Sequence, residues 1–396
     1  MARDGMIGVV GHALRCAAII VATTLALPGS ALAQVSFETR APFALLMDHE
    51  SGTVLFQKEA DTAMEPASMA KLMTVAVVLD MVKRGALDLD DQFFISENAW
   101  RTGGAPSGGS TMFAELGSQI SVDDLLHSVI IQSGNDAAIA LAEGIAGSEG
   151  AFAAIMNEMA RDIGLEDSYF TNASGLPDPD MYTTARDLAD LGRYIIREFP
   201  DYYPVFSIQE FTWNNIRQAN RNGLLELGMN VDGLKTGHTN SAGYGIVVST
   251  TDGGRRLVAV VHGLQSVNER NEAARSLITW GARAFERIPA FADQAIVGYA
   301  SVYGGEEGRV GLVGEGSIDI YLPRGNRQCL SANITYNAPI LPPVEAGDRL
   351  AQLNVLCDDQ LIQSAPLYAA ESVGEGDIVR KATDAIFELA FGWIGV

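Results

Sequence analysis

The sequence predicts an α+β chain: a mixed region of helices and strands, then a small all-β segment, then a closing amphipathic helix. Three observations predict it. Capped apolar helical stretches alternate with short strand-like pairs up to about residue 288. From Ile288 the helical periodicity stops, and four strand-like runs follow: Ile318–Leu322, Leu330–Tyr336, Arg349–Leu356 and Leu361–Tyr368, separated by Gly, Pro and Asn. Between Asp377 and Val396, Ile378, Ala382, Ala385, Ile386, Leu389 and Trp393 fall on one helical face, with Asp377, Lys381, Asp384 and Glu388 on the other. The 396 residues, 47% of them hydrophobic, suffice for a large domain with a real core plus a smaller one. A formal net charge of −22, with no basic patch, argues against nucleic acid as a partner.

The expected divisions are residues 1–33, 34–288, 289–372 and 373–396. The first reads as a secretory signal: Arg3 and Arg15 are basic, Cys16 to Leu27 is apolar, and Ala31-Leu32-Ala33 fits a cleavage site. Its loss leaves Cys329 and Cys357, which an exporting compartment allows to pair. No histidine or cysteine spacing points to a metal. Ala44–Asp48 and Thr53–Gln57 flank His49-Glu50-Ser51-Gly52 as a hairpin. Pro66 opens a helix whose Leu72–Met81 run is too evenly apolar for a surface. Arg101–Ser110, rich in Gly and Ser, reads as a mobile surface loop. Ser121 caps a helix bearing Leu125, Leu126, Val129 and Ile130. Helices over Ala137–Ala146, Phe152–Asp162 and from Thr184 to about Phe199 follow. Tyr244–Thr250 and Arg255–Val261 read as paired strands, and Asn268–Glu286 as a helix. Gly374-Glu375-Gly376 reads as a hinge before the last helix.

Three short stretches carry chemistry. Ser68 and Lys71 stand at i and i+3, so on a helix the amine lies one turn above the hydroxyl. A serine hydroxyl attacks only once a base takes its proton, and a buried lysine serves if its pKa falls from about 10.4. Such a pair is weak evidence alone. Ser133 and Asn135 sit on a polar turn between two apolar helices, which a plain connector would also explain. Lys235-Thr236-Gly237 offers an ammonium, a hydroxyl and a glycine against which a ligand can lie, an anion cradle. The three together, in this order, are far more specific than any one.

This triple signature resembles that of the serine penicillin-recognising enzymes. The chain is most similar to the low-molecular-mass penicillin-binding proteins that act as D-alanyl-D-alanine carboxypeptidases. The similar stretches are Ala67–Thr74, Gln132–Ala138, Tyr182–Ala189, Ile216–Leu225, Val231–Gly245 and Thr279–Gly281. The resemblance implies a penicillin-binding/β-lactamase-like domain, an antiparallel sheet flanked by helices, followed by the small β domain and the helix. It implies that Ser68 attacks a peptide ending in D-Ala-D-Ala, that Lys71 takes its proton, and that Lys235 helps keep Lys71 neutral. It gives Ser133 a proton relay to the leaving D-alanine, and Asn135 the substrate amide. The N–H groups of Ser68 and His238 would form the oxyanion hole; Thr236, beside Gly237, and Arg270 would hold the terminal carboxylate. It implies no metal or cofactor, with peptidoglycan pentapeptide and β-lactam antibiotics as partners and a periplasmic enzyme held at the inner membrane surface by its last helix. A class A β-lactamase would need an acid such as Glu166 for deacylation. An endopeptidase and an idle peptidoglycan-binding module stay open beside it.

Overall fold

The computed structural model describes residues 37–323, 330–357, 360–378 and 380–381. The expected leader (1–33), Cys329 of the expected Cys329–Cys357 pair and the final helix beyond Lys381 lie outside the described residues. Strands β1 (Phe43–Asp48) and β2 (Val54–Lys58) form the expected hairpin. Its turn closes on Asp48, which accepts from the backbone N–H and hydroxyl of Ser51 at 3.0 and 2.8 Å, and Gly52 takes a φ of +67°.

A 3₁₀ turn, Ala67–Ala70, leads into α1 (Lys71–Lys83), whose residues Lys71 to Leu79 are all buried. A helix apolar on every side has to be enclosed, and this one is. Strands β3 (Gln92–Phe94) and β4 (Gln119–Ser121) pair across an intervening excursion. The excursion holds helical turns at Ala99–Gly103 and Ala105–Ser107 in place of the open loop expected over Arg101–Ser110. Gly103 explains the difference: a Cβ there would lie 2.4 Å from the backbone nitrogen of Asp136, so the segment packs at backbone distance against the next helix start.

Ser121 caps α2 (Val122–Ile131), accepting from the Asp124 N–H at 3.1 Å, and Thr184 caps α5 (Ala185–Glu198), accepting from Asp187 at 3.0 Å. Between them run α3 (Asn135–Ala146) and α4 (Glu149–Asp162). Then come β5 (Glu210–Trp213), β6 (Ile216–Ala219), β7 (Val231–Thr239), β8 (Gly243–Asp252), β9 (Arg255–Leu264) and α6 (Val267–Ala284). The remaining strands are β10 (Phe285–Phe291), β11 (Gly298–Ser301), β12 (Arg309–Val313), β13 (Ile318–Pro323), β14 (Leu330–Tyr336), β15 (Arg349–Cys357) and β16 (Gln360–Ala369).

The main sheet runs β7-β8-β9-β1-β2-β16-β12-β11, with β15 and β14 extending from β16. Its pairings are antiparallel, and β7 is the outer strand at one end. Alternation along the strands divides two cores. Leu45, Met47, Val247, Val258 and Val260 face the lobe of α1, α2, α3 and α5, while Ala44, Leu46, Val248, Leu257 and Ala259 pack with Ala274, Leu277 and Ile278 of α6. A third core, with Val310, Leu312, Leu353 and Leu367, lies in the C-terminal strands. A bridge between Val54 and Ser364 joins the two parts of the sheet, and the Tyr321 hydroxyl donates to Asp48 at 2.7 Å across the same junction. Gly374–Gly376, expected as a hinge, is tied by backbone bonds from Glu306 N to Gly374 O and Gly376 N to Gly304 O, both 2.9 Å.

Candidate active site

Four pieces of chain meet at the end of β7. The 3₁₀ turn presents Ser68 and the first residue of α1 supplies Lys71. The Lys71 Nζ lies 3.1 Å from Ser68 Oγ, 2.7 Å from Asn135 Oδ1 and 2.5 Å from the Ser174 carbonyl oxygen. Three acceptors saturate an ammonium. When the proton leaves, the lone pair needs a donor, and among these three only the Ser68 hydroxyl can supply one. Lys71 is wholly buried while Ser68 keeps partial exposure, so the hydroxyl is the member of the pair that an incoming molecule reaches. Burial pulls the Lys71 pKa down to about 7, against the upward pull of Asp136 and Glu149.

The partners of Lys71 are themselves held. Asn172 Oδ1 accepts from Ser174 N, Ser174 Oγ and Gly175 N, which curls the loop so that the Ser174 carbonyl points at the amine. Thr74 of α1 donates to the Ala173 carbonyl at 2.7 Å and ties this loop to the helix. Gly175 has a φ of +70°, and a Cβ on it would lie 2.0 Å from the Ala67 oxygen, so only glycine fits. Asp136, wholly buried, accepts from Thr111 Oγ1 and from the N–H groups of Met112, Ala114 and Ala137, fixing the start of α3 against the segment before β4. Asn135 opens α3, and Ser133 precedes it on the turn with a φ of +66°. Ser133 Oγ is buried without a hydrogen-bond partner among the described residues.

On the opposite wall, β7 carries Lys235, Thr236, Gly237 and His238. A Cβ on Gly237 would come within 2.9 Å of the Pro66 oxygen and 3.0 Å of Met69 Cγ, so the strand backbone abuts the Ser68 turn. Lys235 is buried and donates to the Thr236 carbonyl at 3.0 Å. Its pKa is driven well down by burial first, then by the cations Lys71, Arg221 and Arg270. Burial is the main cause of the low pKa of both lysines, and each ammonium disfavours the other. Arg270, on α6, is buried and donates to Asn271 Oδ1 and to the Arg221 carbonyl; burial lowers it to about 10. His238 is exposed and its ring stacks on Tyr244 at 3.8 Å between centroids, beside a cavity of about 530 Å³.

Lys71 therefore touches both Ser68 and Asn135, and Lys235 stands near enough to Lys71 and Arg270 for their charges to act on it. Glu166 is elsewhere: it is exposed and lines a cavity beside the C-terminal strands. Sequence reasoning missed Ser174, Asp136, Glu149 and Arg221. Ser174 acts through its backbone, which leaves no side-chain signal, whereas Asp136 follows Asn135 directly and Arg221 lies within the similar stretch Ile216–Leu225.

Fold and site define a serine hydrolase of the penicillin-recognising class. The chain belongs to the D-alanyl-D-alanine carboxypeptidase family, whose model matches residues 30–266, and residues 285–375 match the C-terminal domain of penicillin-binding protein 5. It is 38% identical to the D-alanyl-D-alanine carboxypeptidase DacC of Escherichia coli K12 over 354 residues, 89% of this chain and 88% of that protein. It is 36% identical to DacA of the same organism over equal shares. Among solved structures, penicillin binding protein 5 from Haemophilus influenzae superposes with a TM-score of 0.68 at 36% identity, covering 86% of this chain and 99% of that one.

Proposed function

We propose that the protein is a serine DD-carboxypeptidase that removes the terminal D-alanine from peptidoglycan pentapeptides through an acyl-enzyme on Ser68, and that penicillin traps the same serine. The observation that carries this reading is the buried Lys71 amine 3.1 Å from Ser68 Oγ. With its pKa near 7, Lys71 holds on the order of 10³-fold more free base at neutral pH than an ordinary lysine. Lys71 takes the Ser68 proton as Oγ attacks the penultimate carbonyl. The N–H groups of Ser68 and His238 receive the oxyanion, a contribution of about 10²–10³ in rate per donor. Ser133 passes the proton to the leaving D-alanine, which suits a buried hydroxyl with no partner of its own. Asn135 orients the substrate amide. Lys235, Thr236 and Arg270, with Gly237 giving close approach, hold the free carboxylate. Water then completes hydrolysis.

Residues 1–33 fit a cleaved leader, 34–288 the catalytic domain and 289–372 a β domain, with a Cys329–Cys357 disulfide in the latter. The segment 373–396 fits a peripheral attachment to the inner membrane from the periplasmic side. Ile378 at its start is 86% exposed, as a surface-binding apolar face requires. Among the described residues no single helix is long and apolar enough to cross a membrane. A β-lactamase reading is disfavoured by Glu166, which lines the cavity beside the C-terminal strands. Incubation with a D-Ala-D-Ala pentapeptide and with penicillin tests the proposal. Release of D-alanine and a penicillin adduct that Ser68→Ala abolishes are expected; rapid penicillin turnover without D-alanine release would contradict it. Deleting residues 376–396 should move the protein from membranes to the soluble fraction with acylation intact. Continued pelleting would sink the tether.

A further inference from the structure

The strand that carries His238 is the outer one of the sheet, with β8 as its neighbour in the ladder. The ladder between β8 and β9 slips between Tyr244 and Ile246, level with His238, which pairs with Tyr244. Beyond the slip Tyr244 stands opposite Leu264, and the hairpin tip, residues 239–243, extends past it. A register slip bends a strand and loosens its pairing, so the sheet alone leaves the position of the tip over the Ser68 turn weakly determined.

A chain of hydrogen bonds from the tip ends on Glu65. The Ala242 N–H donates to Thr239 Oγ1 at 3.0 Å. Thr239 Oγ1 lies 3.2 Å from Ser241 Oγ and 3.4 Å from Glu65 Oε2, and Ser241 Oγ donates to Glu65 Oε2 at 2.6 Å. Each hydroxyl has one proton and Ser241 gives its own to Glu65, so the chain needs an acceptor at its end, which a carboxylate supplies. Glu65 stands three residues before Ser68. Proline fixes the backbone at position 66, and Ala67 takes a φ of +48°, which a residue with a Cβ keeps only where its surroundings hold it. The Met69 N–H closes the turn on the Pro66 oxygen at 3.2 Å. A shift at Glu65 is therefore passed to Ser68 with little slack.

We infer that Glu65 is a positioning residue for the reaction: its carboxylate clamps the β7–β8 tip to the Ser68 turn and so sets the separation of the Ser68 and His238 N–H groups. The inference rests on the proposed role of those two groups as oxyanion donors, and Glu65 acts through them. Such donors work only at the spacing the oxyanion requires. Formation and hydrolysis of the acyl-enzyme both pass through an oxyanion, so loss of the clamp slows both steps and leaves substrate binding alone.

The test compares the whole protein with Glu65→Ala, Glu65→Gln, Ser241→Ala and the double variant Glu65→Ala/Ser241→Ala. Turnover of a D-Ala-D-Ala pentapeptide, melting temperature and amide hydrogen exchange over residues 239–244 are measured on each. Glu65→Ala should lower kcat about tenfold with KM and melting temperature unchanged, since a small misplacement of reacting groups is costly and the bond itself is exposed. Exchange over 239–244 should quicken about tenfold. Glu65→Gln still offers an acceptor and should restore most of both. Ser241→Ala should resemble Glu65→Ala, and the double variant should lose no more than either. If the parent releases no D-alanine the proposed function fails, and exchange still decides whether Glu65 holds the tip. Unchanged exchange in Glu65→Ala, an unchanged kcat, additive losses in the double variant, or a loss of activity that only follows melting temperature would overturn the inference.

Discussion

Thr74→Val removes one hydroxyl and keeps the side chain's shape. Thr74 is wholly buried and its Oγ1 donates to the Ala173 carbonyl at 2.7 Å. The variant leaves that carbonyl buried without its donor, at a cost of about 1–3 kcal/mol. Ala173 adjoins Ser174, whose oxygen is one of the three acceptors on Lys71. Loosening this loop therefore also lets the amine turn from Ser68, so penicillin acylation should slow together with the loss of stability. Thr74→Ser keeps the hydroxyl and loses one methyl, about 0.8 kcal/mol of burial, and should acylate like the parent. Urea unfolding and the second-order acylation rate, measured on all three proteins, check this. If Thr74→Val matches Thr74→Ser in both, the loop does not depend on this bond. If only stability falls, the loop does not position Lys71.

Three further outcomes follow from the site. Lys235→Arg keeps a cation in a different shape and should leave weakened but measurable acylation, whereas Lys71→Ala should abolish it; equal, complete loss in a penicillin-binding assay would mean that the two lysines' roles are wrongly divided. Arg270→Ala should impair turnover of a free-acid peptide far more than acylation by an amidated analogue, and equal losses would remove Arg270 from carboxylate recognition. His262, buried beneath the Ser68 turn, has its pKa lowered by burial to about 4, so the unfolded chain binds its proton more readily. Its contribution is complete above about pH 6.5 and is lost as pH falls towards 4, roughly 3 kcal/mol in all. His262→Leu should flatten the acid limb of urea stability, and an unchanged limb would refute this.

The legible parts of the site were those written in side chains at fixed spacing. Ser68 and Lys71 could be paired because i and i+3 share a helix face, and the unbroken apolar run after them requires burial on every side. The caps at Ser121 and Thr184 follow from a hydroxyl three residues before an acid. What stayed hidden depends on contacts between distant backbones. The Ser174 carbonyl reaches Lys71 across 103 positions, and Asp136 grips N–H groups more than twenty residues upstream. Strands Gly298–Ser301 and Arg309–Val313 went unread because they are short and contain glycine; a Cβ on Gly298 would lie 2.3 Å from Ile334 Cδ1, a reason visible only in the fold. Lys235-Thr236-Gly237 was legible as a cradle but not as part of a strand. Its place there is set by pairing with Ile246 and Val247 of the neighbouring strand.

We propose Ser68 as the nucleophile and a Lys71 amine with a pKa near 7 as its base. The most direct measurement is the rate of penicillin addition from pH 5 to 9, followed by intact mass, with the adduct located by peptide mapping. The adduct should sit on the peptide containing Ser68, and the rate should rise through about pH 7 and level off above it. An adduct on Ser133, or a rate that shows no inflection between pH 5 and 9, would contradict the account.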